Sequence, residues 1–313
     1  MRNAYLNTLY DLASHDENVL SLVSDNGLIV YDDFRRDFPK QYFNFGISEG
    51  NMITVAAGMA SCGKIPFAYT IGAFLAYRAF EFIRLDVCLQ KLNVKIIGIG
   101  AGVAYSTLGP THHATEDIAV LRVLPNLTLF SPATPIETAE VIKAAYKIDG
   151  PVYIRLGTNN EPEIYDDKYK FEVGKGVKIK DGKDITFVAT GSITYVALQV
   201  AKLLEEKNVS VSVINIHTIK PFDKDIIEQA TKETNRIITI EEHNIIGGLG
   251  SAVSEVIAER GLSTKLNRIG LNDQFAIGYG TPLEVKEMNC LDELGIYKKV
   301  CEILNIQEKE NNE

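Results

Sequence analysis

The sequence contains no tryptophan, four cysteines and five histidines among its 313 residues. The cysteines (Cys62, Cys88, Cys290 and Cys301) form no Cys-x-x-Cys pair and show no metal-ligand spacing. That excludes a zinc finger or a dithiol redox centre, and they read as reduced, mostly buried thiols of a cytoplasmic protein. No apolar run approaches the ~20 residues that span a bilayer. The start, Met1-Arg2-Asn3-Ala4, lacks the apolar core of a secretion signal, so no membrane segment is expected. A basic surplus is missing too: the net charge is −9, which argues against nonspecific nucleic-acid binding. A single basic pocket for a phosphorylated substrate is still compatible with that balance. A phosphate-binding P-loop is also absent, because Gly247-Gly248-Leu249-Gly250-Ser251 has the wrong spacing and no Lys-Ser/Thr after it.

What remains is an ordinary globular composition, 46% hydrophobic and 23% charged, long enough for about two domains. Strand and helix patterns alternate. Asn3 to Ser14 reads as a helix, Leu28 to Tyr31 and Tyr42 to Ile47 as strands, and a helix runs from Met52. Pro66 to Thr70, Val94 to Ile99, Leu127 to Phe130 and Val152 to Arg155 read as further strands. Between them lie helices over Ala76 to Leu92, Glu116 to Leu124 and Pro135 to Ile148. A polar stretch, 158–184, reads as a linker with one short hairpin around Glu172 to Ile179. A second unit follows, with strands at Ile185 to Ala189, Ser210 to Ile214 and Arg236 to Ile240. Its helices are Thr194 to Glu206, Asp223 to Thr234, Gly250 to Glu259 and Glu293 to Leu304, and the tail from Gln307 to Glu313 is expected to fray. The fold class is therefore α/β, with two doubly wound, mostly parallel-sheet domains at 1–157 and 185–313 joined by 158–184.

The segment Phe45-Gly46-Ile47-Ser48-Glu49-Gly50-Asn51-Met52 places a single carboxylate where a strand gives way to an Ala/Gly-rich helix. Strand ends of open α/β sheets are where ligands bind. Taken alone, Glu49 is better explained by the preference of a helix start for negative charge. Phe74, Tyr77 and Phe80 follow Tyr69-Thr70-Ile71-Gly72 at helical spacing. Such a stripe offers flat faces to a planar ligand or lines a core. Gly109-Pro110-Thr111-His112-His113 is the most specific local motif, with adjacent histidines that point apart.

These segments resemble the transketolase family of thiamine-diphosphate enzymes, from the pyrimidine-binding domain through to the C-terminal domain, over roughly residues 1 to 306. In that family the residue matching Glu49 hydrogen-bonds N1′ of the cofactor's aminopyrimidine and activates it. The resemblance implies that Phe74 stacks on that ring, with Tyr77 as second candidate and Phe80 left to the core. It implies that His112 faces the substrate, with His113 in a supporting place, and that Asp25 lies near the cofactor. Arg78 and Glu81 are expected as surface or interface charges. Glu242 and His243, in Thr239-Ile240-Glu241-Glu242-His243-Asn244, and the Lys220-Pro221-Phe222-Asp223 string fit the C-terminal domain, where packing and dimerisation prevail.

Two departures refine this reading. The family's Gly-Asp-Gly motif, which holds Mg²⁺ and the diphosphate, is missing; the nearest strings are Lys180-Asp181-Gly182 and Ile148-Asp149-Gly150. The resemblance thus implies half of a split enzyme. It has no metal ligands of its own, and a second chain carries the diphosphate and metal site in a heterotetramer. At positions where sugar-phosphate transketolases have Asp, His and Arg, this sequence has Leu108, Gly100 and Thr158, with Arg155 nearby on a strand. Loss of those groups leaves a sugar without the usual phosphate, or a phosphate bound by the partner, as the implied substrate. The rival implications are a 2-oxo acid dehydrogenase E1 β subunit, a deoxyxylulose-phosphate-synthase-like enzyme and a noncatalytic scaffold.

Overall fold

A computed structural model describes residues 1–27, 29–158, 161–166 and 169–306. The first sheet collects β1 (Val19–Val23), β2 (Tyr42–Asn44), β3 (Ile65–Ile71), β4 (Lys95–Ile99), β5 (Thr128–Phe130) and β6 (Val152–Leu156). The second contains β7 (Val177–Lys180), β8 (Ile185–Ala189) and β9 (Val211–Asn215). The chain then returns β10 (Thr218–Lys220) to the first sheet before finishing the second with β11 (Arg236–Asn244) and β12 (Lys265–Leu271). The strand orders are β10-β5-β6-β4-β3-β1-β2 and β12-β11-β8-β9-β7. All pairings are parallel except β10 with β5 and β7 with β9. Two mostly parallel sheets covered by helices bear out the expected fold class.

The helices of the first half are α1 (Arg2–His15), α2 (Asp32–Asp37), α3 (Glu49–Ser61), the short α4 (Phe80–Phe82), α5 (Asp117–Arg122) and α6 (Pro135–Lys147). Those of the second half are α7 (Ile193–Glu205), α8 (Lys224–Glu233), α9 (Leu249–Glu259), α10 (Pro282–Met288) and α11 (Glu293–Leu304). The period-2 alternation of strand side chains decides which helix covers which face. Phe67, Tyr69, Ile97 and Ile99 pack with Tyr5 and Leu9 of α1 and Val141 and Ile142 of α6. Their neighbours Ala68 and Ile96 face Met52 and Ile53 of α3. That second face is continuous with the C-terminal half, through Ile214, Leu249 and Val253. Each of these fully buried aliphatic side chains contributes on the order of 1.5–3 kcal/mol.

Several expectations fail locally. Ile29–Tyr31 forms a 3₁₀ turn and no strand, because Gly27 adopts φ +73 and Val30 N–H closes back on its carbonyl at 3.1 Å. Leu28, which shares that expectation, lies outside the described residues, as does the tail 307–313. The expected hairpin at Glu172 to Ile179 is instead β7 alone, antiparallel to β9 at the edge of the second sheet. The expected helix over Ala76 to Leu92 begins at Phe74 and is broken into π-helical stretches, Phe74–Arg78 and Ile83–Cys88, on either side of α4. β1, β10, β12, α2 and α10 are additions.

Candidate active site at the carboxyl edge of the first sheet

Four strands deliver the predicted residues to one edge. After β1, Ser24 Oγ donates to Gly46 O at 2.7 Å and accepts Ser48 N–H at 3.2 Å. Asp25, exposed and at φ +48, receives Asn44 Nδ2 at 3.2 Å and donates its own N–H to Asn44 Oδ1 at 3.1 Å. These bonds fix the loop after β2, so that Glu49 becomes the first residue of α3, three residues ahead of the expected start. Gly50 is needed there because a Cβ would run into the Phe82 ring.

Glu49 is only 4% exposed. The one partner of its carboxylate among the described residues is Arg78, whose Nη1 lies 3.6 Å from Oε2. That is longer than the 2.7–2.9 Å typical of a charge-assisted hydrogen bond. Arg78 also stands over the Phe74 ring, its guanidinium carbon 4.0 Å from the centroid. Phe74 in turn meets His112 at 5.0 Å between centroids with planes at 61°. Glu49, Arg78, Phe74 and His112 therefore form one chain of contacts. The π-helical turn sets the spacing that lines up Phe74 and Arg78, and such turns recur at functional sites.

His112 enters on the loop after β4. Ala114 bridges to Ala101 and Gly102, which pins the loop to the strand end. Gly109 takes φ +72, and a Cβ there would overlap the Tyr279 ring. Ser106 Oγ donates to Gly280 O at 2.8 Å, so the C-terminal half buttresses the same loop. His112 Nδ1 sits 2.9 Å from Thr111 Oγ1. Partial burial, and then the nearby Arg78 cation, hold its pKa below the ordinary imidazole value, so the ring is neutral at pH 7. His113 is buried, and neither of its ring nitrogens has a hydrogen-bond partner among the described residues.

Tyr77 does not join this chain. Its hydroxyl donates to Glu116 Oε2 at 2.8 Å and accepts Glu116 N–H at 3.1 Å. Phe80 packs against the core. Arg78 is exposed, as expected of a surface charge, yet its guanidinium also reaches the Phe74 face and Glu49, a contact that its four-residue distance from Phe74 allows.

The other polar strings are structural. Arg155 is buried on β6, where Nε donates to both carboxylate oxygens of Asp117 at 3.0 Å and Nη2 to the carbonyls of Ala114 and Glu242. Glu241 caps α9 by accepting the N–H groups of Leu249 and Gly250 at 2.7 and 2.8 Å. Glu242 accepts Val103 N–H at 2.8 Å and pairs with Lys286. His243 accepts Ala119 N–H at 3.3 Å and donates through Nδ1 to Asn244 O.

Comparison with known proteins follows the same division. The transketolase pyrimidine-binding domain matches residues 1–162, and the transketolase C-terminal domain matches residues 174–295. A chain named as a transketolase C-terminal section in Methanocaldococcus jannaschii is 40% identical, over 96% of this chain and 95% of its own length. A subunit of the apulose-4-phosphate transketolase of Phocaeicola vulgatus is 35% identical, with 97% of each chain covered. A solved structure described as a split gene transketolase, inactive β4 tetramer, superposes with a TM-score of 0.89 at 40% identity, covering 98% of this chain and 99% of that one. This chain therefore belongs to the transketolase family, as its pyrimidine-binding and C-terminal domains.

Proposed function

We propose that the chain is one subunit of a two-chain, thiamine-diphosphate-dependent transketolase that moves a two-carbon ketol unit from a ketose to an aldose. The observation that carries this reading is the buried Glu49 carboxylate, short of close partners and linked through Arg78 to the flat face of Phe74. The residues present fit the aminopyrimidine half of the cofactor: a carboxylate to share a proton with a ring nitrogen, and an aromatic plane to stack on. They do not fit the other half. Among the described residues no group of three or more His, Cys, Asp or Glu is placed to hold a metal, and Gly-Asp-Gly is missing from the sequence. The diphosphate and Mg²⁺ are therefore assigned to a partner chain, in an assembly of two copies of each. A relative named as one subunit of a transketolase and a split-gene neighbour described as an inactive β4 tetramer support that assignment.

When bound, the cofactor supplies the nucleophile and the electron sink for carbon–carbon bond exchange. Glu49 holds the proton shared with N1′, in a site dry enough for that proton to stay in place. Phe74 orients the ring. Neutral His112, steadied by Thr111, donates a hydrogen bond to a sugar hydroxyl or to the oxygen that gains charge at the ketose carbonyl. Asp25, through Asn44, holds the loop that presents Glu49. Tyr77 takes the supporting place, bound to Glu116. Leu108, Gly100 and Thr158 leave the substrate end without charge, so an anionic group on the sugar would be read by the partner.

Calorimetric titration with thiamine diphosphate and Mg²⁺ tests the proposal, on this chain alone and with the partner chain added. Heat of binding in the mixture alone is expected. Tight binding by this chain alone would overturn the split site, and no binding in either would overturn cofactor dependence.

A further inference from the structure

One side chain fills the space between the two groups that matter most. The Arg78 guanidinium lies over Phe74 at 4.0 Å and beside Glu49 at 3.6 Å. A planar ring stacked on that aromatic face, its centre about 4.5–7 Å from the Phe74 centroid, and hydrogen-bonded to that carboxylate would need the same volume. A guanidinium is also the side-chain group nearest in kind to such a ring: planar, delocalised, rich in N–H donors, weakly hydrated and prone to stack on aromatics. We infer that Arg78 is an internal stand-in for the cofactor's aminopyrimidine, occupying its place in the free subunit and swinging out when the cofactor enters. The inference rests on the cofactor reading proposed above.

Three observations make the exchange physically reasonable. The Glu49 carboxylate is buried, and a buried charge without a counter-charge is costly, so it needs a cationic neighbour whenever the cofactor is away. Arg78 has somewhere to go, because its side chain is 54% exposed. It is also lightly held. Buried Arg155 makes short hydrogen bonds to Asp117, Ala114 and Glu242, whereas Arg78 has the longer Glu49 contact and the Phe74 face. The stand-in keeps the carboxylate paired and the slot dry, and it lowers apparent cofactor affinity by the fraction of subunits in which it must be displaced.

The test is calorimetric titration of thiamine diphosphate with Mg²⁺ into the assembled two-chain protein, as wild type, Arg78→Met and Arg78→Lys. Methionine keeps the length of the side chain and removes the charge and the plane. Arg78→Met is expected to bind roughly two- to thirtyfold more tightly, the range set by loss of a cation–π contact, with Arg78→Lys in between. Unchanged or weaker binding by Arg78→Met, against normal binding by wild type, would overturn the stand-in and leave the cofactor reading intact. Weaker binding by both variants would make Arg78 a holder of the cofactor, which also overturns it. Failure of all three proteins to bind would overturn the cofactor reading and the inference together. If Arg78→Met does not fold, the Arg78→Lys titration decides: tighter binding than wild type supports the stand-in, and equal or weaker binding rejects it.

Discussion

Two clusters of buried charge in this molecule look alike in sequence and differ in how they are bonded. At the junction of the two sheets, Asp117, Arg155, Glu241 and His243 each have at least one hydrogen-bond partner at 3.0 Å or less. At the carboxyl edge of the first sheet, Glu49 is nearly as buried, yet its partner stands 3.6 Å away on a half-exposed side chain. A satisfied buried charge spends its interactions on holding the fold, because removing either partner strands the other in low dielectric. An under-satisfied one retains capacity for something that arrives later. The contrast separates structural from chemical carboxylates more sharply than burial alone.

The largest expected effect lies at the edge. Glu49→Gln is expected to lower turnover of the two-chain enzyme by roughly 10²- to 10⁴-fold, with an unchanged melting temperature by circular dichroism. Near-normal turnover would remove Glu49 from the chemistry and collapse the distinction. At the junction the result should invert. Arg155→Ala is expected to cost about 3–5 kcal/mol in urea unfolding, by leaving Asp117 buried without its cation. A stability loss below about 1 kcal/mol would mean that the junction is not what holds the halves together.

A smaller effect distinguishes substrate from cofactor contacts. His112→Ala is expected to reduce turnover roughly 10²-fold, the scale of one positioned donor, while calorimetric cofactor affinity stays constant. A change confined to cofactor affinity would move His112 to the cofactor side. The smallest effect, per pH unit, concerns His217, which is buried against Phe171 with Nδ1 2.8 Å from Thr218 Oγ1. Burial pushes the pKa of His217 down to about 4, from the ordinary 6.5. Between those values the unfolded chain binds a proton that the fold excludes, so stability falls as pH drops through the window. Urea unfolding of His217→Asn across that range should show a shallower loss, by up to about 1.4 kcal/mol per pH unit. An identical slope would assign the acid sensitivity elsewhere.

Most of the fold was legible because its strands are short, largely apolar runs, as in Val94-Lys95-Ile96-Ile97-Gly98-Ile99 with its single lysine, bounded by turn residues. β1 has the same character, with all five residues buried and turn residues on both sides (Asn18 before, Ser24-Asp25-Asn26-Gly27 after), so the signal was present there and went unread. β12 mixes Lys265, Asn267 and Arg268 with its apolar residues at a sheet edge, where one side of the strand needs no apolar partner. β10 is three residues long, too short for any period. At the candidate site, Glu49, Phe74 and His112 were singled out through the family resemblance, and the structure brings Phe74 and His112 into ring contact. Arg78 was not, because a charged residue in an amphipathic stretch ordinarily marks the solvated face. The π-helical widening that sets its guanidinium over Phe74, with the side chain still half-exposed, depends on backbone hydrogen bonds that leave no pattern in the side chains.

The return of β10 to the first sheet has a consequence for how this chain can be cut and recombined. Thr218 to Lys220 lie well past the connecting segment, yet they close the open flank of β5. An isolated first half would bare Thr128–Phe130 as an unpaired edge, the kind of surface on which strands from other molecules add. The two halves are thus poor candidates for separate expression or for exchange between relatives at the polar connector. Like a box whose lid carries one of its walls, the chain is expected to travel through engineering, and through gene rearrangement, as a single piece.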